Sequence, residues 1–180
     1  MVAAYAPELG ARGGRAVGVG LVAAAAGTER ALAEERPARL VLVGTAGALP
    51  GSGLAIGSIV VVARAELIVR PGEYVPGILS TVAEADAAFA RECADKLDAP
   101  LVTVASGVGI TSSEDEARRL ATSAQVEHLE SFAVLSVARH RAAATAVLAI
   151  ANVVGPNAHA EWRANREQAE AAAIAAAQKL

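Results

Sequence analysis

The sequence predicts a single α/β domain spanning residues 1–180, and three observations predict it. Short apolar runs alternate with helix-period segments along the chain, the pattern of strands covered by helices. The chain has 180 residues, 54% of them hydrophobic, which is enough to bury one substantial core. The apolar run 40–43 leads into Gly44-Thr45-Ala46-Gly47, and a second apolar run starts at Ile59, just past Gly57. Strand, glycine turn, short loop and strand make a frame that brings backbone N–H groups close to a small polar ligand, because glycine carries no Cβ.

Taken in order, residues 1–6 and 15–19 read as short strands, and 22–35 as a helix closed by Pro37. Residues 40–43 read as a buried strand ending in the glycine turn, and 58–65 as a longer strand that 67–69 extends beyond a break. The segment 71–76, with two prolines and Gly72, is the most loop-like part and a candidate lid. Residues 82–97 have the apolar spacing of one amphipathic helix, and 101–106 read as a strand. Ser112 and Ser113 open a helix over 113–122, with Glu114 to Glu116 in the first turn where the helix dipole favours acids. A short strand at 124–126, a helix over 129–140, a strand over 145–151 and a terminal helix over 161–179 complete the reading.

Composition excludes several classes of function. Charged residues make up 19% and the net charge is −3, so no basic field exists to hold nucleic acid. The single cysteine, Cys93, excludes an intramolecular disulfide framework and a cysteine metal cluster, and it fits a reducing, cytoplasmic setting. Residues 1–10 lack the pattern of a targeting segment, and the run 17–26 is interrupted by glycines and falls short of the ~20 residues a bilayer requires. No membrane partner is expected. His128, His140 and His159 form no metal-ligand spacing with any acid and read as surface or interface residues, so no metal is expected. Gly18-x-Gly20-x-x-Ala23 imitates a dinucleotide fingerprint, but the next acid, Glu29, falls inside the helix and not at a second strand end, so no nicotinamide cofactor is expected.

Three polar residues stand where α/β folds keep their chemistry. Glu130 lies near the start of an otherwise apolar helix, where a buried carboxylate needs a partner or a ligand. Its neighbour Glu127 reads as a solvated acid. Asn152 follows the strand 145–151 and precedes Val153-Val154-Gly155-Pro156, and its amide suits either a base edge or a turn before Gly-Pro. Glu8 follows Pro7 at the end of the first strand, as a site acid or an ordinary surface one. Trp162, the only tryptophan, reads as packing or interface more than as a stacking platform.

Together these residues resemble the nucleoside phosphorylase and nucleosidase superfamily. Ala4-Tyr5-Ala6-Pro7-Glu8-Leu9 is similar to its first strand with a site glutamate, and the segment from Val17 through Ala24 to its glycine-rich helix opening. Gly44-Thr45-Ala46-Gly47-Ala48-Leu49 followed by Ile56-Gly57-Ser58-Ile59-Val60 resembles the central Gly-Thr-Ala-Gly motif and the segment after it. Leu129-Glu130-Ser131 resembles Met-Glu-Gly, and Ile150-Ala151-Asn152 resembles Ile-Ser-Asn. Within the superfamily, Asn152-Val153-Val154-Gly155-Pro156 with Trp162 is most similar to the futalosine hydrolase subgroup, which releases hypoxanthine from futalosine in menaquinone biosynthesis.

The resemblance implies a three-layer α/β/α domain with a mixed central sheet, a homo-oligomer of two or more copies and no cofactor. It implies hydrolysis of a purine-type nucleoside, with a phosphorylase, a methylthioadenosine nucleosidase or a non-catalytic nucleoside-binding relative as alternatives. Glu130 would take the ribose hydroxyls, Glu8 the attacking water, and Asn152 the purine N7 and O6. Thr45, Ala46 and Gly47 would line the sugar and water site, while Ile110, Thr111 and Leu129 would border the substrate. Leu42 stands where superfamily phosphorylases carry a phosphate-binding arginine, which makes water the expected nucleophile. Departures from the pattern are Leu148 in place of an arginine, Ala151 in place of a serine and Ser58 in place of an aspartate.

Overall fold

The axis of the fold is strand β3 (Arg39–Ala48), which is longer than the apolar run 40–43 foretold. Gly44-Thr45-Ala46-Gly47 is extended strand and not a turn. Glycine and alanine have low strand propensity, but β8 (Ala143–Val153) runs parallel to β3 from Arg39 opposite Ala143 to Ala48 opposite Val153. That ladder overrides the local preference. The structure, a computed structural model, describes residues 1–180 except Pro71 and Tyr74 and omits the side chains of residues 10–12, so the loop expected at 71–76 lies partly outside the described residues.

The other strands are β1 (Val2–Ala3), β2 (Arg15–Ala16), β4 (Ile59–Leu67), β5 (Val82–Glu84), β6 (Leu101–Ser106) and β7 (Val126–Glu127). They form one mixed sheet in the order β2-β1-β3-β7-β6-β4-β5, with β8 bonded to both β3 and β4. Strands β3, β8, β4, β6 and β7 therefore close on one another in a ring, with antiparallel joins at β8–β4 and β7–β3. The α/β class with a mixed central sheet agrees with expectation; the ring closure is a feature the sequence does not display.

Side-chain alternation sorts the core into two faces. Leu40, Leu42, Val60, Val62, Ala146 and Leu148 point to one side, where α1 (Gly20–Glu35) and α4 (Ser131–Ala138) cover them. On the other side, Val61 and Val147 meet Phe89 and Cys93 of α2 (Ala87–Leu97), while Val43, Ala149 and Ala151 meet Ala169 and Ala173 of α5 (Ala158–Ala177). Alanines facing alanines let α5 lie close to β8.

Three further expectations need correction. Residues 82–97 are not one helix: Val82–Glu84 pairs antiparallel with β4, and α2 starts only after Asp86, whose side chain accepts from the Phe89 N–H at 2.8 Å. The first strand stops at Ala3, and the 3-10 helix Ala6–Arg12 follows with proline in its first turn, so Glu8 sits on that helix and not at a strand end. Helix α4 begins at Ser131 and not at Leu129, leaving Glu130 as its N-cap residue. The serine cap of α3 (Glu114–Leu120) agrees with the reading, Ser113 Oγ accepting from the Glu116 N–H at 3.4 Å.

Candidate active site

A cavity of about 400 Å³ opens beside the C-terminal ends of β3, β7 and β8. Glu8, Glu130 and Asn152 all line it, although they come from three separate stretches of chain. Thr45, Ala46, Gly47, Ile110 and Leu129 line it too. Thr111 is not among the lining residues, but its backbone N–H donates to the carboxylate of Glu127, which is, at 3.2 and 3.1 Å from the two oxygens.

Glu130 is held at the head of two helices. It is the N-cap residue of α4, though its side chain makes no capping bond to that helix, and its Oε1 accepts from the Gly20 N–H at 2.7 Å, at the first residue of α1. Unpaired amides and the helix dipole favour a negative charge there. The glycine-rich stretch before α1 thus serves as a socket for a carboxylate from 110 residues away.

Glu8 is buried, with 4% exposure. Its Oε1 accepts from the Thr45 N–H at 3.3 Å, while Oε2 is buried with no hydrogen-bond partner among the described residues. Burial is the main reason its carboxyl is pushed up to about 8, and the negative charge of Glu130 adds to the shift. At neutral pH Glu8 therefore carries a proton in most molecules.

The strand position of Gly44 and Gly47 has a purpose at this site. A Cβ on Gly44 would lie 3.1 Å from His128 Nε2 and 3.2 Å from Glu8 Oε1, so both polar side chains rest against bare backbone. A Cβ on Gly47 would meet Asn152 Nδ2 and Val154 Cγ2, each at 2.8 Å. The β3–β8 register slips between Ala46 and Gly47, leaving Ala151 as an extra residue before Asn152. A bulge of this kind re-aims a strand-end side chain. Asn152 is 7% exposed and lines the cavity. Of the departures in its neighbourhood, Leu148 is fully buried among apolar residues, and the Ala151 carbonyl accepts from Asn165 Nδ2 at 3.1 Å.

Three residues that sequence reasoning set aside belong to this site. Glu127, read as solvated, is buried on β7 and its proton affinity is raised by burial. His128, read as a surface or interface residue, is buried with Nε2 3.3 Å from Glu130 Oε2 and Nδ1 2.9 Å from Ser131 Oγ. Trp162, read as packing or interface, forms part of the wall and donates from Nε1 to Thr45 Oγ1 at 3.1 Å. His159 stacks on Trp162 with ring centres 6.0 Å apart, and the exposed Arg166 guanidinium lies 5.4 Å from the indole centre. Tyr5 donates its hydroxyl to Glu170 at the same mouth, and burial raises the Tyr5 pKa. A short strand ending in Glu127, followed by His128 three residues ahead of an apolar helix, was the available signal for these two residues.

The sequence model of the phosphorylase superfamily matches residues 11–180, and the chain belongs to that superfamily. No curated protein matches it. Among solved structures it is similar to S-adenosylhomocysteine nucleosidase from Streptococcus pyogenes in complex with 5-methylthiotubericidin, at 17% identity over 99% of this chain and 93% of that one, with a TM-score of 0.86. Similarity also extends to futalosine hydrolase of Helicobacter pylori, at 17% identity over 91% of this chain and 76% of that one, TM-score 0.79. The MTA/SAH nucleosidase of Streptococcus pneumoniae in complex with 8-aminoadenine gives 16% identity over 99% and 96%, TM-score 0.86. At these identities the likeness establishes the fold.

Proposed function

We propose that this chain hydrolyses the N-glycosidic bond of a purine-type nucleoside, as one domain acting in a homo-oligomer of the cytoplasm. The observation that carries the reading is the convergence of Glu8, Glu130 and Asn152 on one cavity whose wall is otherwise mostly apolar. Superfamily membership and the nucleosidase neighbours support it.

In this reading Glu130, anchored by the Gly20 N–H, takes the ribose hydroxyls and sets negative charge beneath the developing oxocarbenium ion. Glu8 orients a water and accepts its proton as the water oxygen bonds to the anomeric carbon. The electron pair of the broken bond leaves with the base, and the Asn152 amide hydrogen-bonds N7 and O6 to stabilise it. Asn152 transfers no proton; the departing base takes one from solvent. A carboxyl held at about 8 makes Glu8 a stronger base than an ordinary glutamate, though only about one molecule in ten is ionised at pH 7.

Water is favoured over phosphate by charge. Leu42, at the position of the phosphorylase arginine, is fully buried in the core, and the cation that lines the cavity among the described residues is Arg166, exposed at the mouth over Trp162. Futalosine is the substrate we favour, on the Asn152 to Trp162 segment. Incubation with futalosine, inosine and methylthioadenosine, with and without phosphate, tests the reading by release of free base. Hypoxanthine release independent of phosphate is the expected result. Release only with phosphate would assign a phosphorylase, and no release from any of the three would assign a binding protein.

A further inference from the structure

His128 faces the cavity, yet the proposed reaction gives it no work. Its backbone is fixed on both sides: the N–H donates to the Ala105 carbonyl at 3.1 Å, and the carbonyl accepts from Ser106 Oγ at 2.6 Å. The ring itself is buried and held between Ser131 and Glu130. Ser131 Oγ lies against Nδ1 and Glu130 Oε2 against Nε2, with Glu8 Oε1 across the bare backbone of Gly44.

The groups around the ring define its charge state. Glu130 faces it from the head of α4 and Glu8 from the 3-10 helix. From β3 the bare backbone of Gly44 faces it, beside which β8 places the apolar Leu148, and from α1 the Gly20 N–H serves Glu130. Glu127 is turned to Thr111, Glu170 accepts from Tyr5, and Arg166 lies out at the mouth. Burial pulls the imidazole down more strongly than Glu130 raises it, so the ring is neutral and carries one N–H. A bare Nε2 lone pair against the Glu130 carboxylate would be repulsive. The proton is therefore on Nε2, with the Ser131 hydroxyl donating to Nδ1.

Two buried carboxylates in one cavity cannot both ionise cheaply. We propose that His128 is a positioning residue that sets the order of ionisation in this pair: its Nε2–H holds Glu130 as the charged member and leaves the shared proton on Glu8 while no substrate is bound. Only the kinetic half of the test rests on the hydrolase reading above.

Carbon-13 NMR of the glutamate carboxyl carbons, without substrate, tests the order directly, with Glu8→Gln and Glu130→Gln supplying the assignments. His128→Asn places its amide where Nδ1 was and keeps Ser131, whereas His128→Gln places its amide where Nε2 was and keeps Glu130. The Asn variant is expected to lower the Glu8 midpoint by about one pH unit, while the Gln variant leaves it as in the parent. In kinetics, the Asn variant should move the rising limb of kcat/KM to lower pH by the same shift and raise KM roughly tenfold. Unchanged carboxyl titrations in the Asn variant overturn the proposal even if its Tm falls, as does a Gln variant that shifts equally far. Should the Asn variant not fold, His128→Ala, which also removes the Nε2–H from Glu130, takes its place, and the same drop or constancy of the Glu8 midpoint decides. If no nucleoside is cleaved, the titrations still give the answer, so the two readings fail separately.

Discussion

The two ends of β3 put one strand to opposite uses. Its first half, Leu40 to Val43, is an apolar plank sealed by β1 and β8, with Leu42 and Val43 fully buried. Its second half, Gly44 to Gly47, has the same ladder but almost no side-chain bulk, and against it lie Glu8, His128, Asn152 and Trp162. The first half gains stability from every residue. The second spends backbone space on polar groups that are costly to bury, one of them with an oxygen unpartnered among the described residues. Apolar packing and room for the cavity's polar side chains are thus separated along a single strand, the second half relying on the missing Cβ atoms of Gly44 and Gly47.

Substitutions that respect one half and damage the other break the comparison most directly. Glu130→Gln should leave the fold intact and lower kcat/KM for nucleoside cleavage by roughly three orders of magnitude, because it removes the charge beneath the sugar; full activity would show that the sugar carboxylate is elsewhere. Gly47→Ala should follow, with kcat/KM down on the order of 100-fold, since its Cβ displaces the Asn152 amide by contact at 2.8 Å. An unchanged rate would mean that Asn152 does not touch the base. Leu42→Ala should do the reverse: urea denaturation is expected to report a loss of about 2–5 kcal/mol, with per-molecule activity preserved in what remains folded.

The pH response sharpens the same contrast. Glu8 has a folded value near 8 against an ordinary 4.5, so the unfolded chain gives up this proton first and the group's contribution to stability declines as pH rises from about 4.5 to 8. Glu8→Gln, which cannot ionise, should therefore have a higher Tm than the parent above pH 8, with the gap closing toward pH 4.5, while cleavage is lost. Parallel Tm curves would show that Glu8 is not held protonated. The smallest effect is expected far from both halves: Arg141→Ala breaks an exposed pair with Glu29 and should change stability by less than about 0.5 kcal/mol and activity not at all.

Legibility in the sequence followed the range of the interactions. The strand Leu101–Ser106 and the Ser113 cap of α3 were readable because neighbours in sequence decide them. Residues 82–86 were misread because Val82-Ala83-Glu84 becomes strand only by pairing with β4. Gly44 to Gly47 looked like a turn because its strand character comes wholly from β7 and β8. Glu130 and Asn152 were visible as polar residues out of keeping with apolar surroundings. Glu127 and His128 were not, because a two-residue strand gives no period from which to read which way a side chain points.

By itself the sequence determined the α/β class, most element positions, the superfamily and the chemical types at Glu8, Glu130 and Asn152, since each depends on local pattern or on side-chain identity. Only the tertiary structure decided that these three meet, that Glu8 holds its proton, and that His128 stands between the two acids. Those outcomes depend on desolvation and on distances between segments up to 144 residues apart, from Glu8 to Asn152. No window along the chain contains that information.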